Sequence, residues 1–171
     1  MKECKICEEI LPFDRFYTVK NKTDSSRVYY YNECKACRHI RDNARISSSP
    51  EKYFKHTFKA LKHNRTKGFG NKHYKFNIAE EDLVDLWYEQ EGLCALSGIA
   101  LTHIKDGKGK KWTNATVDRI DPDIGYETSN IQLVCYRANL IKHDMTEEDL
   151  MFWVDAINEH RGLKGLIQQW S

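Results

Sequence analysis

The chain has 171 residues, 40% of them hydrophobic, with 27 Lys and Arg against 25 Asp and Glu, enough for one ordinary domain or two small ones. No apolar run reaches the roughly eighteen residues of a membrane span. The opening MKECKICEE lacks the apolar core of a secretory signal, so a cytoplasmic protein is expected.

The near-neutral total conceals an asymmetry along the chain. Residues 51–75 carry eight Lys or Arg against one acid, whereas residues 76–171 carry nine against seventeen. A basic block between two modules is the usual footprint of a polyanion, nucleic acid being the commonest. A solvated, charged helix has the same composition.

Residues 1–50 form the first expected module. Cys4-x-x-Cys7 opens it and Cys34-x-x-Cys37 closes it, 26 residues apart. Without a signal peptide, paired C-x-x-C reads as metal binding rather than disulfides. Four thiolates suit one closed, tetrahedral, structural zinc site, an iron–sulfur cluster being the minor alternative. A module this small buries little apolar surface, so metal would supply folding free energy on the order of 10 kcal/mol. Phe13, Phe16, Tyr17 and Val28 to Tyr31 suggest a short hairpin between the pairs.

Residues 51–75 are expected as a basic helix and linker. Ser49 is placed to cap it and Pro50 to open it. Tyr53, Phe54, Phe58 and Leu61 fall near one face at helical spacing, while Lys52, Lys55, Lys59, Lys62 and Arg65 fill much of the rest. Residues 76–171 form the last module. A helix is expected from near Asn77, with Glu80 three residues on as a capping-box pair and Leu83, Leu86 and Trp87 as its apolar stripe. KDGKGKK at 105–111 reads as a mobile basic loop carrying Lys108, Lys110 and Lys111. Strands follow at Ala115–Val117, running into Asp118-Arg119, and at Ile131–Val134. A helix runs through Leu140 and Ile141. A final helix from Thr146 is expected to bury Leu150, Trp153, Val154 and Ile157. No internal repeat is visible.

The stretch from Thr116 to Lys142 carries the chemistry. Strand, loop, strand and helix in this order put Asp118 at the end of a strand and Asn139 on the helix beneath it. One carboxylate and one amide oxygen are hard ligands suited to magnesium or manganese. Singly, each residue has an ordinary structural use: Asp118-Arg119 as a surface ion pair, Tyr126 as a cover over the core, Asn130 and Asn139 as caps.

Jointly, Asp118, Asn130 and Asn139, with the Asn139-x-x-Lys142 ending, resemble the HNH (ββα-metal) endonuclease superfamily over roughly residues 76–160. The resemblance implies an α+β protein. Its ββα-metal nuclease fold would carry a small zinc-ribbon or treble-clef-like module at the N-terminus and flanking helices. It implies hydrolysis of phosphodiester bonds in double-stranded DNA, with Asp118 and Asn139 on a catalytic Mg²⁺ or Mn²⁺ and Asn130 bracing the loop.

One departure is decisive for mechanism. The family's general base is the His after the Asp, and here Arg119 stands there; it stays protonated and has no acceptor lone pair. Either the site is inactive, leaving a DNA-binding protein, or the base has moved. A narrower likeness to PacI-type restriction enzymes, which also carry an N-terminal zinc module, favours the second. By that likeness Arg119 holds the scissile phosphate and Tyr126 activates the attacking oxygen; His73 and His143 are the other candidates. Relatives of this type often hold a second zinc, but here the matching segments read Cys94-x-x-Ser97 and Cys135-x-x-Ala138. Cys94 and Cys135 are therefore expected as neighbouring buried thiols. Phosphate contacts are expected from the lysines of 51–75 and 105–111 and from Lys142. Two cuts by one type of active site make a homodimer a reasonable assembly.

Overall fold

The computed structural model describes residues 1–20, 28–66, 75–105 and 109–162. Strands β1 (Lys2–Glu3) and β2 (Ile10–Leu11) pair antiparallel around the first cysteine turn, and β3 (Phe16–Lys20) pairs antiparallel with β4 (Val28–Cys34). Helices α1 (Lys35–Ile46) and α2 (Pro50–Thr66) follow. Next come β5 (Phe76–Asn77), α3 (Glu80–Glu89), β6 (Ala115–Arg119), β7 (Tyr126–Glu127), β8 (Ile131–Cys135), α4 (Tyr136–Lys142) and α5 (Glu147–Arg161). β6 and β8 form an antiparallel hairpin, and β5 pairs with β7 in parallel. The architecture is α+β.

A small core of Cys4, Phe16 and Cys34 holds the N-terminal part together. The larger core gathers Tyr53 and Phe54 of α2, Leu83 of α3, Tyr126, and Ile131, Leu133 and Val134 of β8. Phe54 and Leu133 have no exposed surface, and burial of each side chain contributes about 1.5–3 kcal/mol. The Tyr53 hydroxyl donates to the Ala115 carbonyl at 2.8 Å, docking α2 onto β6; burial pushes that phenol up to about 12. Ser49 caps α2 as expected, its hydroxyl accepting from the Lys52 N–H at 3.4 Å.

Two expectations need correction. The helix of 76–89 begins at Glu80, not near Asn77. Phe76 and Asn77 are extended because they pair with Tyr126 and Glu127, and the cap is the Asp82 carboxylate accepting from the Ala79 N–H at 2.7 Å. The last helix buries only Leu150. Trp153, Val154 and Ile157 are 56%, 38% and 55% exposed, because no described element covers α5 beyond its first turn.

The chain also contains a duplication that its sequence hides. Cys4 N–H donates to the Glu9 carbonyl at 2.9 Å, and Cys94 N–H to the Ile99 carbonyl at 2.9 Å. Glu8 and Gly98 close these turns onto Cys4 and Cys94, and both have positive φ, 60° and 67°. Lys5 N–H reaches the Asn32 carbonyl as Ala95 N–H reaches that of Leu133. Cys34 N–H donates to Cys4 Sγ at 3.2 Å, and Cys135 N–H to Cys94 Sγ at 3.3 Å. Cys34 then caps α1 and Cys135 caps α4. Each half is thus a cysteine turn, a hairpin and a helix.

Candidate functional site

In the first half the four sulfurs of Cys4, Cys7, Cys34 and Cys37 lie within 4.8 Å of one another, with Cys4 and Cys37 3.9 Å apart. A tetrahedron with Zn–S bonds near 2.3 Å has edges of about 3.8 Å, so the cluster is the right size for one metal ion. Burial pushes the Cys4 thiol up, but N–H groups of Cys7, Cys34 and Ile6 outweigh it and bring the thiol down to about 6. Burial and the neighbouring sulfurs push the Cys37 thiol up to about 12, so without an ion the thiolate character of the cluster is concentrated on Cys4. None of the six cysteines is in a disulfide.

In the second half the seam between β6 and α4 holds the polar residues. Thr116 and Asp118 alternate on the face of β6 that meets α4. The Asn139 amide donates to Thr116 Oγ1 at 3.0 Å and to the Val117 carbonyl at 3.2 Å, committing its nitrogen to the strand and leaving its oxygen for a ligand. Asp118 is 5% exposed. Gln132, its cross-strand neighbour, donates to Asp118 Oδ2 at 3.0 Å and also to Glu147 at 2.7 Å. Lys142, one turn after Asn139, reaches Asp118 at 3.2 Å and the Arg119 carbonyl at 2.7 Å. The expected phosphate contact of Lys142 is therefore corrected. Its ammonium is fully buried and supplies the counter-charge of Asp118 inside the fold.

The loop between β6 and β8 hangs on Asn130. Its amide oxygen accepts from the Asp121 N–H at 2.9 Å, and its nitrogen donates to the carbonyls of Asp121 and Gly125, each at 3.0 Å. A Cβ on Gly125 would meet the Lys75 carbonyl at 2.4 Å, so only glycine lets the two backbones approach. Arg119 donates to the carbonyls of Pro122 and Ile124, and its guanidinium lies 5.5 Å from the Tyr126 ring centroid. Tyr126 is 3% exposed and packs against Phe76, with ring centroids 5.5 Å apart. His143 lies on the surface, its Nδ1 2.8 Å from an Asp144 carboxylate oxygen. His73 and Lys108 lie outside the described residues, as does the side chain of Arg65.

Asn139 also opens onto a cavity of about 240 Å³ between α2, β6 and α4. His56, Lys105 and Lys110 line it together with Thr116 and Tyr136, and among the described residues no Asp or Glu does. A second groove, of about 400 Å³, runs on from His56 between α1 and α2, lined by Arg45, Lys52, Lys55 and Lys59. Lys62 is exposed and lies over the Phe58 ring. Lys111 holds the loop through its backbone, its N–H donating to Asn114.

Two residues are not singled out by the sequence, Gln132 and His56. Gln132 carries a legible signal, a polar residue in an otherwise apolar strand and opposite Asp118 in any hairpin of this register. His56 carries none, since it joins the site only through the packing of α2; Arg45, with Arg38 and Arg41, reads in the sequence equally as a DNA contact or as a solvated helix face.

No family model matches the chain, and no curated protein matches it. Among solved structures it is similar to the rare-cutting HNH restriction endonuclease PacI, described as perturbing DNA by an extraordinary mechanism. The identity is 19% and the TM-score 0.38, over 96% of this chain and 99% of that one. Among the described residues no helix is long and apolar enough to cross a membrane.

Proposed function

We propose that the protein is a divalent-metal-dependent endonuclease acting on double-stranded DNA, with an HNH-type ββα unit at residues 115–142 and a structural zinc on Cys4, Cys7, Cys34 and Cys37. The observation that carries this is the β6–α4 seam. It gathers a carboxylate and a free amide oxygen beneath a loop braced by Asn130, beside a cavity lined by His56, Lys105 and Lys110. Asp118 and Asn139 are the groups that would hold Mg²⁺ or Mn²⁺, hard oxygens matched to a hard cation. When bound, such an ion stabilises negative charge on the scissile phosphate and the leaving oxygen. Arg119 adds a permanent positive charge and donates no lone pair, so its part is to hold phosphate.

Two residues compete to take the proton from the attacking oxygen. Tyr126 stands beside Arg119, its ring centroid 5.5 Å from the guanidinium. Its 3% exposure favours the other candidate, His56, which lines the cavity with Asn139. Burial, then Lys105 and Arg45, hold the His56 imidazole below its ordinary pKa of 6.5. The ring is therefore neutral at pH 7 and keeps an acceptor lone pair.

The test is cleavage of plasmid and phage DNA with Mg²⁺ or Mn²⁺, with the ends sequenced. Asp118→Ala is expected to lose activity. Loss of about 100-fold or more in His56→Asn with Tyr126→Phe unaffected assigns the base to His56; the reverse assigns it to Tyr126. Parent protein that leaves DNA intact with every divalent metal overturns the nuclease in favour of a DNA-binding protein built on the same fold.

A further inference from the structure

The cavity beside Asn139 continues at its rim into a stack of aromatic and cationic groups. The Trp112 indole and the Tyr136 ring are nearly parallel, 13° apart with centroids at 6.0 Å. The Arg137 guanidinium lies 3.3 Å from the Trp112 ring centroid, and the Lys110 ammonium 4.8 Å from that of Tyr136. The packing holds the indole in place without burying it. The Arg137 N–H donates to the Trp112 carbonyl at 3.0 Å, yet Trp112 is 54% exposed. A half-exposed indole with a guanidinium against it, next to a tyrosine ring that carries an ammonium, is a surface for a flat partner bearing negative charge.

Tyr136 and Lys110 belong both to this stack and to the cavity, so the two surfaces are continuous. Within the cavity Lys105 and Lys110 are held below the ordinary lysine range, both by burial and Lys105 also by the charge of Lys110. Two ammoniums repelling each other, with no Asp or Glu among the described lining residues, make a place for an anion. About 240 Å³ is below the usual span of small-molecule sites, roughly 300–1,000 Å³. It suits one phosphate and its sugar, not a duplex.

We infer that Trp112 and Tyr136 receive the base of a nucleotide drawn out of its stack, while Lys105 and Lys110 hold that nucleotide's phosphate at the mouth of the cavity. The inference rests on DNA being the partner but not on cleavage. It makes the protein a binder of locally unstacked DNA, reading through base stacking rather than through a groove.

The test is photo-cross-linking of the zinc-loaded full chain, without added magnesium, to a single-stranded oligonucleotide carrying 5-iododeoxyuridine, with the linked peptide identified by mass spectrometry. The expected attachment is to Trp112 or Tyr136. Trp112→Ala is expected to weaken strand binding about 5- to 100-fold, while Trp112→Phe, which keeps a ring, retains most of it. Melting curves of both variants check that they fold. Lys105→Gln with Lys110→Gln is expected to reduce the salt slope of binding by about 1 to 2 units.

An affinity of Trp112→Ala equal to the parent's, or cross-links confined to other positions, overturns the stack. Displacement of the oligonucleotide by micromolar deoxyadenosine monophosphate overturns the DNA strand as ligand in favour of a free nucleotide. Cross-linking at Trp112 in a protein that never cleaves sinks the nuclease alone; cleavage with an unmoved Trp112→Ala affinity sinks the stack alone. Parent protein that binds no DNA sinks both.

Discussion

A lysine with no exposed surface must find a counter-charge, and Lys142 finds it in Asp118 at 3.2 Å. Each group needs the other. Removing one partner of a buried pair leaves an uncompensated charge and typically costs about 3–5 kcal/mol, whereas the intact pair adds little to stability. Lys142→Met is therefore expected to lower the melting temperature sharply in metal-free protein. A divalent cation held by Asp118 and Asn139 would replace the lost charge, so Mn²⁺ is expected to raise the melting temperature of Lys142→Met more than that of the parent. Calorimetric melts of both proteins with and without Mn²⁺ check this. Equal shifts would remove Asp118 from the proposed metal site.

At the scale of elements, the two cysteine turns differ in what they hold. The first presents four sulfurs; the second keeps Cys94 and Cys135 and has Ser97 and Ala138 where Cys7 and Cys37 stand in the first. The matching bonds of the two turns nevertheless agree within 0.2 Å, as in 2.8 against 3.0 Å for Lys5 and Ala95 and 3.2 against 3.3 Å for the cysteine N–H donating to the partner sulfur. Burial agrees as well, Ser97 being exposed like Cys7 and Ala138 half-buried like Cys37. The second turn thus retains the geometry of a metal knuckle after losing half its ligands, with hydrogen bonds and packing in place of the ion. Elemental analysis is expected to find one zinc per chain in the parent and two in the variant combining Ser97→Cys and Ala138→Cys. The variant should also melt higher while zinc is bound. One zinc in both proteins would mean that the second turn no longer closes on an ion.

For the whole molecule, cations converge that are distant in sequence. Arg45 comes from α1, Lys52 and Lys59 from α2, and Lys105 and Lys110 from the loop before β6. Of the acids of residues 76–171, Glu80 reaches the groove, 3.1 Å from the Lys55 ammonium, while Glu147, Glu148 and Asp149 open α5. Under the proposed function, DNA bound along this face would release counterions, and log affinity would fall with log salt by about 0.9 per phosphate contact. Replacing Arg45, Lys52 and Lys59 together with Gln is expected to flatten that slope by about 2 to 3 units, as read from titrations at several salt concentrations. An unchanged slope would move the duplex to another face.

Much of the architecture was legible in the sequence because its determinants are local. C-x-x-C spacing, the Ser49-Pro50 start of α2, the Thr146 cap of α5 and the short apolar runs of β6 and β8 each act within a turn or a hairpin. The order of Asp118, Asn130 and Asn139 was readable for the same reason. Tertiary structure decided the rest, because burial depends on which faces meet. Helical spacing gives Trp153 and Ile157 a common face with Leu150 but cannot say that nothing described covers it. The N-x-x-K ending places Lys142 near Asp118 but cannot say that it points inward. No sequence separation announces that His56 of α2 shares a cavity with Asn139 of α4. The duplication is hidden because backbone hydrogen bonds preserve it while the side chains that would reveal it have changed.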